Sequence, residues 1–139
     1  MAERPDIAVL TPYARSLGVS LEHWDDGVPV VRVEFSDAVL GRPGALHGGA
    51  ISGLLETAGY GVLRAELART GREAALKPIN ITVQFLRSGK QRPSFARGRI
   101  IKLGRRTANL AVEAYQDDPA KPIATAVINV MLADRDCET

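Results

Sequence analysis

Cysteine is almost missing from this chain. Of 139 residues only Cys137 carries a thiol, so no internal disulfide can form and a reducing compartment is expected. Histidine is nearly as scarce, with only His23 and His47. Two histidines and one distant thiol do not make a zinc site, so no metal is expected. No run approaches the ~18 apolar residues of a membrane helix. The first residues, Met1-Ala-Glu-Arg-Pro-Asp, lack the apolar stretch of a signal peptide. A cytoplasmic protein with no membrane partner is therefore expected. Aromatic residues make up only 5% of the chain and the net charge is only +2, which together with the lack of a binding motif argues against nucleic acid as a partner.

What is present reads as one α+β domain spanning residues 1–139. Residues 5–17 form a short helical pattern, with Pro12 suited to a first turn and Gly18 to a stop. Two strand-like runs follow, about Val19 to Trp24 and Val28 to Phe35, joined by the hairpin signal Asp25-Asp26-Gly27. Asp37 belongs to a turn-rich segment that runs to Gly44. A helical pattern then extends from about His47 to Arg69, roughly 33 Å at 1.5 Å per residue. Four strands complete the chain: Pro78–Leu86, Ser94–Leu103, Thr107–Gln116 and Pro122–Leu132. Ile79, Ile81, Val83 and Phe85 alternate with polar residues, and Leu110, Val112 and Ala114 alternate with Ala111, Glu113 and Tyr115. That period marks an antiparallel sheet with one wetter face. One long helix with about six strands implies a sheet curled around a helix.

The long helix holds the chemistry. Ile51, Leu54, Leu55, Ala58, Val62 and Ala65 fall on one stripe that would face the sheet. The opposite face carries Gly49, Gly53, Glu56 and Tyr60, and Glu56 is the only formally charged residue between Leu46 and Leu63. A helix so poor in charge is usually covered on both faces. Each glycine costs about 1 kcal/mol relative to alanine, which close approach by another backbone or a ligand would offset. A second subunit on that face, hence a symmetric homodimer, is the expected cover. Glu56 would then be a carboxylate in a low-dielectric groove, a kind of group that clusters at functional sites. A structural glutamate bonded to buried backbone is the competing reading. At the helix start, His47-Gly48-Gly49 offers backbone N–H groups with no internal partner. The helix dipole makes such N–H groups favour negative charge, and one aimed at a carbonyl stabilises the oxyanion of acyl transfer. Taken alone, the same tripeptide also reads as a tight turn.

The segment His47-Gly-Gly-Ala-Ile-Ser-Gly-Leu-Leu-Glu56-Thr-Ala-Gly resembles the signature of PaaI-like hotdog-fold thioesterases, in which an Asp or Glu follows the His of His-Gly-Gly by nine residues. The element order along most of the chain is also similar to that family's. The resemblance implies a hotdog fold, one long central helix wrapped by an antiparallel six-stranded sheet, and hydrolysis of an acyl-coenzyme A thioester. It implies that Glu56 is the catalytic nucleophile or general base, that the Gly48 N–H polarises the thioester carbonyl, and that His47 shapes that site. Gly49 and Tyr60 would contact substrate. The family brings its glycine loop and its acid together across a dimer interface, so a homodimer paired into a tetramer is expected. No cofactor is implied, since coenzyme A enters as part of the substrate. Two positions depart from the pattern. Many relatives carry Asn or Gln where Gly41 stands, and some carry Ser or Thr where Tyr60 stands.

Arg87, Lys90, Arg92, Arg97, Arg99, Lys102, Arg105 and Arg106 fall within twenty residues that contain no Asp or Glu. Such a stretch suits the phosphates of coenzyme A, with Arg105 and Arg106 in the Leu-Gly-Arg-Arg-Thr turn as the leading candidates, although a solvated strand face carries the same composition. The acyl group is open between aryl and medium-chain aliphatic. A non-catalytic acyl-CoA binder or sensor on the same fold is the alternative that Gly41 and Tyr60 leave standing. Hotdog dehydratases use a differently spaced His and acid, which this chain lacks.

Overall fold

The computed structural model describes residues 11–36, 39–41 and 47–134. Residues 5–10 of the expected first helix, Asp37 and Cys137 lie outside these.

Helix α1 covers Pro12–Ser16, with the Thr11 hydroxyl accepting from the Ala14 N–H at 3.2 Å as its N-cap and Pro12 in the first turn. Gly18 follows with φ +81°, a conformation that only glycine adopts cheaply. Strands β1 (Val19–Asp25) and β2 (Val28–Val33) pair antiparallel through a two-residue turn. Asp26 and Gly27 both take positive φ, 51° and 80°, the mirror-image turn whose twist matches the strands it joins. A side chain with a branched Cβ at position 27 would be forced into left-handed backbone. Gly27→Val is expected to cost about 1–2 kcal/mol, read as a lowered Tm with turnover intact at room temperature.

Helix α2 spans Gly48–Arg69, followed by β3 (Ala74–Phe85), β4 (Ser94–Leu103), β5 (Thr107–Tyr115) and β6 (Ala124–Asp134). The six strands form one antiparallel sheet in the order β1-β2-β4-β5-β6-β3, and α2 lies against β4, β2 and β5. Ile51, Leu54, Leu55, Ala58 and Val62 of the apolar stripe are buried, with Ala65 half-buried. Ile51, Leu54, Leu55 and Ala58 meet Val31, Val33, Leu110, Val112 and Ile128 in one core. Removing each such Leu or Ile side chain from water stabilises the fold by about 1.5–3 kcal/mol.

The helix sits unusually close to β4. A Cβ built on Gly98 would lie 2.9 Å from Val62 Cγ1, 3.1 Å from the Ala58 carbonyl oxygen and 3.3 Å from Gly59 Cα. Gly59 in turn has Ile128 Cδ1 at 2.7 Å from its Cβ position. Two glycines thus let helix and strand backbones touch.

Strand β3 differs from its expected role. Its alternation is present, with Ile81, Val83 and Phe85 opposite the buried Ile128, Ala126 and Ala124 of β6. A bulge between Pro78 and Asn80 leaves Ile79 out of register. Yet Ile79, Ile81 and Phe85 are 48%, 38% and 56% exposed. The cause is topological: β3 is the last strand of the sheet, hydrogen-bonded on one side only and beyond the main cover of α2. A twelve-residue edge strand with an apolar face is a template for pairing. No helix among the described residues is long and apolar enough to cross a membrane.

Candidate functional site

The start of α2 is built by His47. It is the N-cap, with φ −66° and ψ 135°, and its Nδ1 accepts from the Gly49 N–H at 2.9 Å. The neutral ring then donates only through Nε2. That bond occupies the Gly49 N–H, so Gly49 serves the cap. Gly48 is the first helical residue, and its N–H has no intrahelical acceptor. Phe85, at the end of β3, lies 3.4 Å from where a Gly48 Cβ would stand, so the edge strand runs beside the helix N-terminus. The preceding loop is held to the cap by the His47 N–H donating to the Val39 carbonyl at 2.7 Å. A Cβ on Gly41 would lie 3.0 Å from His47 Cα. Glycine at this position is what lets the backbone at residue 41 pass this close to His47.

Glu56 stands on the far side of α2 from the sheet and is exposed in the single chain, where a groove was expected to bury it. The glycine face is also covered differently from expectation. Gly53 is closed by α1, with Leu17 Cδ1 at 2.6 Å and Tyr13 Cε2 at 3.2 Å from its Cβ position, and Gly49 lies under its own His47. Gly53 is therefore buried within the chain by the N-terminal helix, whereas Gly49 stays exposed in the single chain.

A pocket of about 180 Å³ opens beside Glu56. α2 contributes Gly53, Glu56, Thr57, Tyr60 and Arg64 to it, the α1 end contributes Thr11 and Tyr13, and β3 contributes Leu76 and Pro78. Thr57 spends its hydroxyl on the Gly53 carbonyl at 2.7 Å. The Tyr60 hydroxyl is buried with no hydrogen-bond partner among the described residues. Burial first, then the nearby Glu56 charge, pushes its pKa above the usual phenol value, with Arg64 opposing. The Arg64 guanidinium lies 5.6 Å from the centroid of the Tyr60 ring. Burial lowers its pKa, but an arginine remains a cation at neutral pH. Sequence reasoning found Tyr60 and missed Arg64, although Arg64 continues the four-residue step from Glu56 to Tyr60. Tyr13, Leu76 and Pro78 carry no sequence signal, since distant segments bring them in.

Glu56 and Gly48 are not brought together within one chain. Eight residues of helix separate them, about 12 Å along the axis, and each must approach a reacting carbonyl to about 3 Å.

The basic stretch is divided. Arg92 pairs with Asp117 at 2.5 Å and Arg97 with Asp25 at 2.6 Å. Arg105 and Arg106 are exposed in the β4–β5 turn, whose Gly104 and Arg105 carbonyls accept from Arg72 at 2.8 and 2.5 Å. Arg72 follows the C-terminal end of α2, so this turn is roughly 20 Å further along the axis than Glu56. A second pocket, of about 190 Å³, gathers Arg87, Lys90 and Lys121 with Ser88 and Asp118. It begins two residues after Phe85, next to the Gly48 end of the helix.

The profile of the acyl-CoA thioesterase N-terminal domain matches residues 38–131. A Saccharolobus solfataricus relative that carries an esterase name is 27% identical over 116 residues, 81% of this chain and 74% of the relative. Among solved structures, a phenylacetic acid degradation-related protein of Ralstonia eutropha is 26% identical with a TM-score of 0.74, over 88% of this chain and 91% of that one. A Haemophilus influenzae thioesterase is 17% identical with a TM-score of 0.82, covering 96% and 92%. At that identity the likeness concerns the fold, and the long helix on a six-stranded antiparallel sheet is the hotdog fold.

Proposed function

The chain belongs to the acyl-CoA thioesterase family whose domain it matches over residues 38–131, and on that premise we propose that it cleaves aryl- or medium-chain acyl-CoA at a site shared between two copies. As a thioester hydrolase it needs an oxyanion donor and a carboxylate within reach of one carbonyl carbon. The spacing along α2 carries the shared-site reading: Gly48 and Glu56 of one chain are too far apart, whereas a two-fold partner supplies the missing half. The long apolar edge of β3, which ends against Gly48, is the surface on which the copies would pair.

In this site Glu56 takes a proton from water as the water oxygen adds to the thioester carbon. The oxyanion is held by the partner's Gly48 N–H and the positive end of α2. Collapse breaks the C–S bond, and the coenzyme A thiolate leaves with the proton that Glu56 took from water. Glu56 can equally add first as nucleophile, giving a mixed anhydride that water then opens. His47 fixes the backbone that presents Gly48.

Antiparallel pairing of two β3 strands sets the start of one beside the end of the other. Arg105 and Arg106, tied to the start of β3 through Arg72, then share one end of the dimer with the partner's Arg87 and Lys90. These four are the proposed contacts for the coenzyme A phosphates. The same reading has the dimers pair into a tetramer, in the cytoplasm, with no added cofactor.

Complementation tests the shared site. Glu56→Gln removes the carboxylate. Gly48→Pro removes the N–H at a first helical position that tolerates proline, and His47 already has the extended backbone a following proline requires. Each variant alone is expected to be inactive. Mixed and refolded together, they should regain about one quarter of wild-type thiol release, since half the dimers are mixed and each carries one intact site. No recovery despite mixed dimers would place both groups in one chain.

A further inference from the structure

The pocket extends along α2 past Glu56, and hydrolysis alone gives its far end no task. Glu56, Tyr60 and Arg64 line it at four-residue steps, each about 6 Å along the axis. One end carries an anion and the other a cation. Between them stands the Tyr60 hydroxyl, buried and without an acceptor among the described residues, a standing cost unless something else supplies one. Of the remaining walls, Gly53, Leu76 and Pro78 have no polar side chain, Thr57 is bonded to Gly53, Thr11 caps α1, and the Tyr13 phenol is the one further polar group.

We infer that the acyl group this pocket accepts ends in a carboxylate, received by the Arg64 guanidinium and the Tyr60 hydroxyl while its thioester carbonyl lies at Glu56. The inference rests on the proposed role of Glu56 and adds the substrate class. The Arg64 guanidinium lies 5.6 Å from the centroid of the Tyr60 ring and both residues line the same pocket, and a guanidinium is the side chain best suited to a carboxylate. Repulsion from Glu56 disfavours the reversed orientation, so the charges also set the direction of entry. Burial and the Glu56 charge keep the phenol protonated, hence a donor. The separation of one to two helical turns, about 6–12 Å, suits a short diacid or a para-substituted aromatic acid as the monothioester.

The test is kcat/KM for matched thioesters: hexanoyl-CoA against adipoyl-CoA, and benzoyl-CoA against its para-carboxyl and para-hydroxyl forms. The wild type is expected to favour the carboxyl member of each pair by ~10-fold or more, the scale of a hydrogen bond to a charged group. Arg64→Met should bring the ratio close to one and Arg64→Lys should restore part of it. Tyr60→Phe, which removes a single oxygen, should lower it. Equal or better turnover of the plain thioesters would overturn the inference while leaving the hydrolase reading intact. Preference for the para-hydroxyl over the para-carboxyl form would overturn the anionic assignment in favour of a neutral acceptor. If no thioester is cleaved, the hydrolase reading fails, and calorimetry with non-cleavable thioether analogues of the same pairs decides. Tighter binding of the carboxyl analogue sustains the inference, and equal binding refutes it.

Discussion

Glu56→Gln is expected to abolish most thioester turnover, by at least ~100-fold, the lower range for removing a group that moves a proton in the transition state. The substitution keeps the side-chain size, and Glu56 is exposed in the single chain, so the fold should be unaffected. Loss of rate would then report chemistry. The measurement is free thiol release from a panel of aryl and medium-chain acyl-CoA thioesters, with an enzyme blank for the chain's single cysteine. A variant as active as the wild type would remove Glu56 from the mechanism. In that case the spacing argument for a shared site would lose its second partner as well.

Gly98→Val should be strongly destabilising. Its Cβ would meet the Ala58 carbonyl oxygen and Gly59 Cα, both backbone atoms of α2, so no rotamer change relieves the contact. The helix must move off the sheet, which strains a core containing Leu54, Leu55 and Ile128. Overpacking of this kind costs about 1–3 kcal/mol and sometimes more, and the upper end applies where backbone must shift. A Tm lowered by about 10 °C is expected, against a change within about 0.5 kcal/mol for Ala111→Val, which lies on the opposite face of the sheet. A wild-type Tm for Gly98→Val would show that the helix can rise without loss.

The local patterns were readable in the sequence because each is set by neighbours along the chain. The turn at Asp26-Gly27 follows from residues that tolerate positive φ. The helix from Gly48 to Arg69 follows from its apolar period and the Thr70-Gly71 stop, and the alternation in β5 follows from a strand with one wet face. The pairing of a His-Gly-Gly start with Glu56 nine residues after the His was equally local, and it pointed to the family the chain belongs to.

What surrounds these elements was decided by contacts between distant segments. Nothing in Ile79 to Phe85 says that β3 follows β6 at the edge of the sheet, so its alternation looked like that of a half-buried strand. Gly53 looked like a place for a second subunit because the sequence does not show α1 folding back to lay Leu17 and Tyr13 on it. The basic stretch looked continuous, yet antiparallel pairing sends Arg105 and Arg106 to one end of α2 and Arg87 to the other, and ion pairs absorb Arg92 and Arg97. The sequence by itself determined which residues could do chemistry, through types and spacings fixed within one helix. The tertiary structure alone decided which of them share a pocket, because strand order and helix docking depend on burying apolar surface across the whole chain.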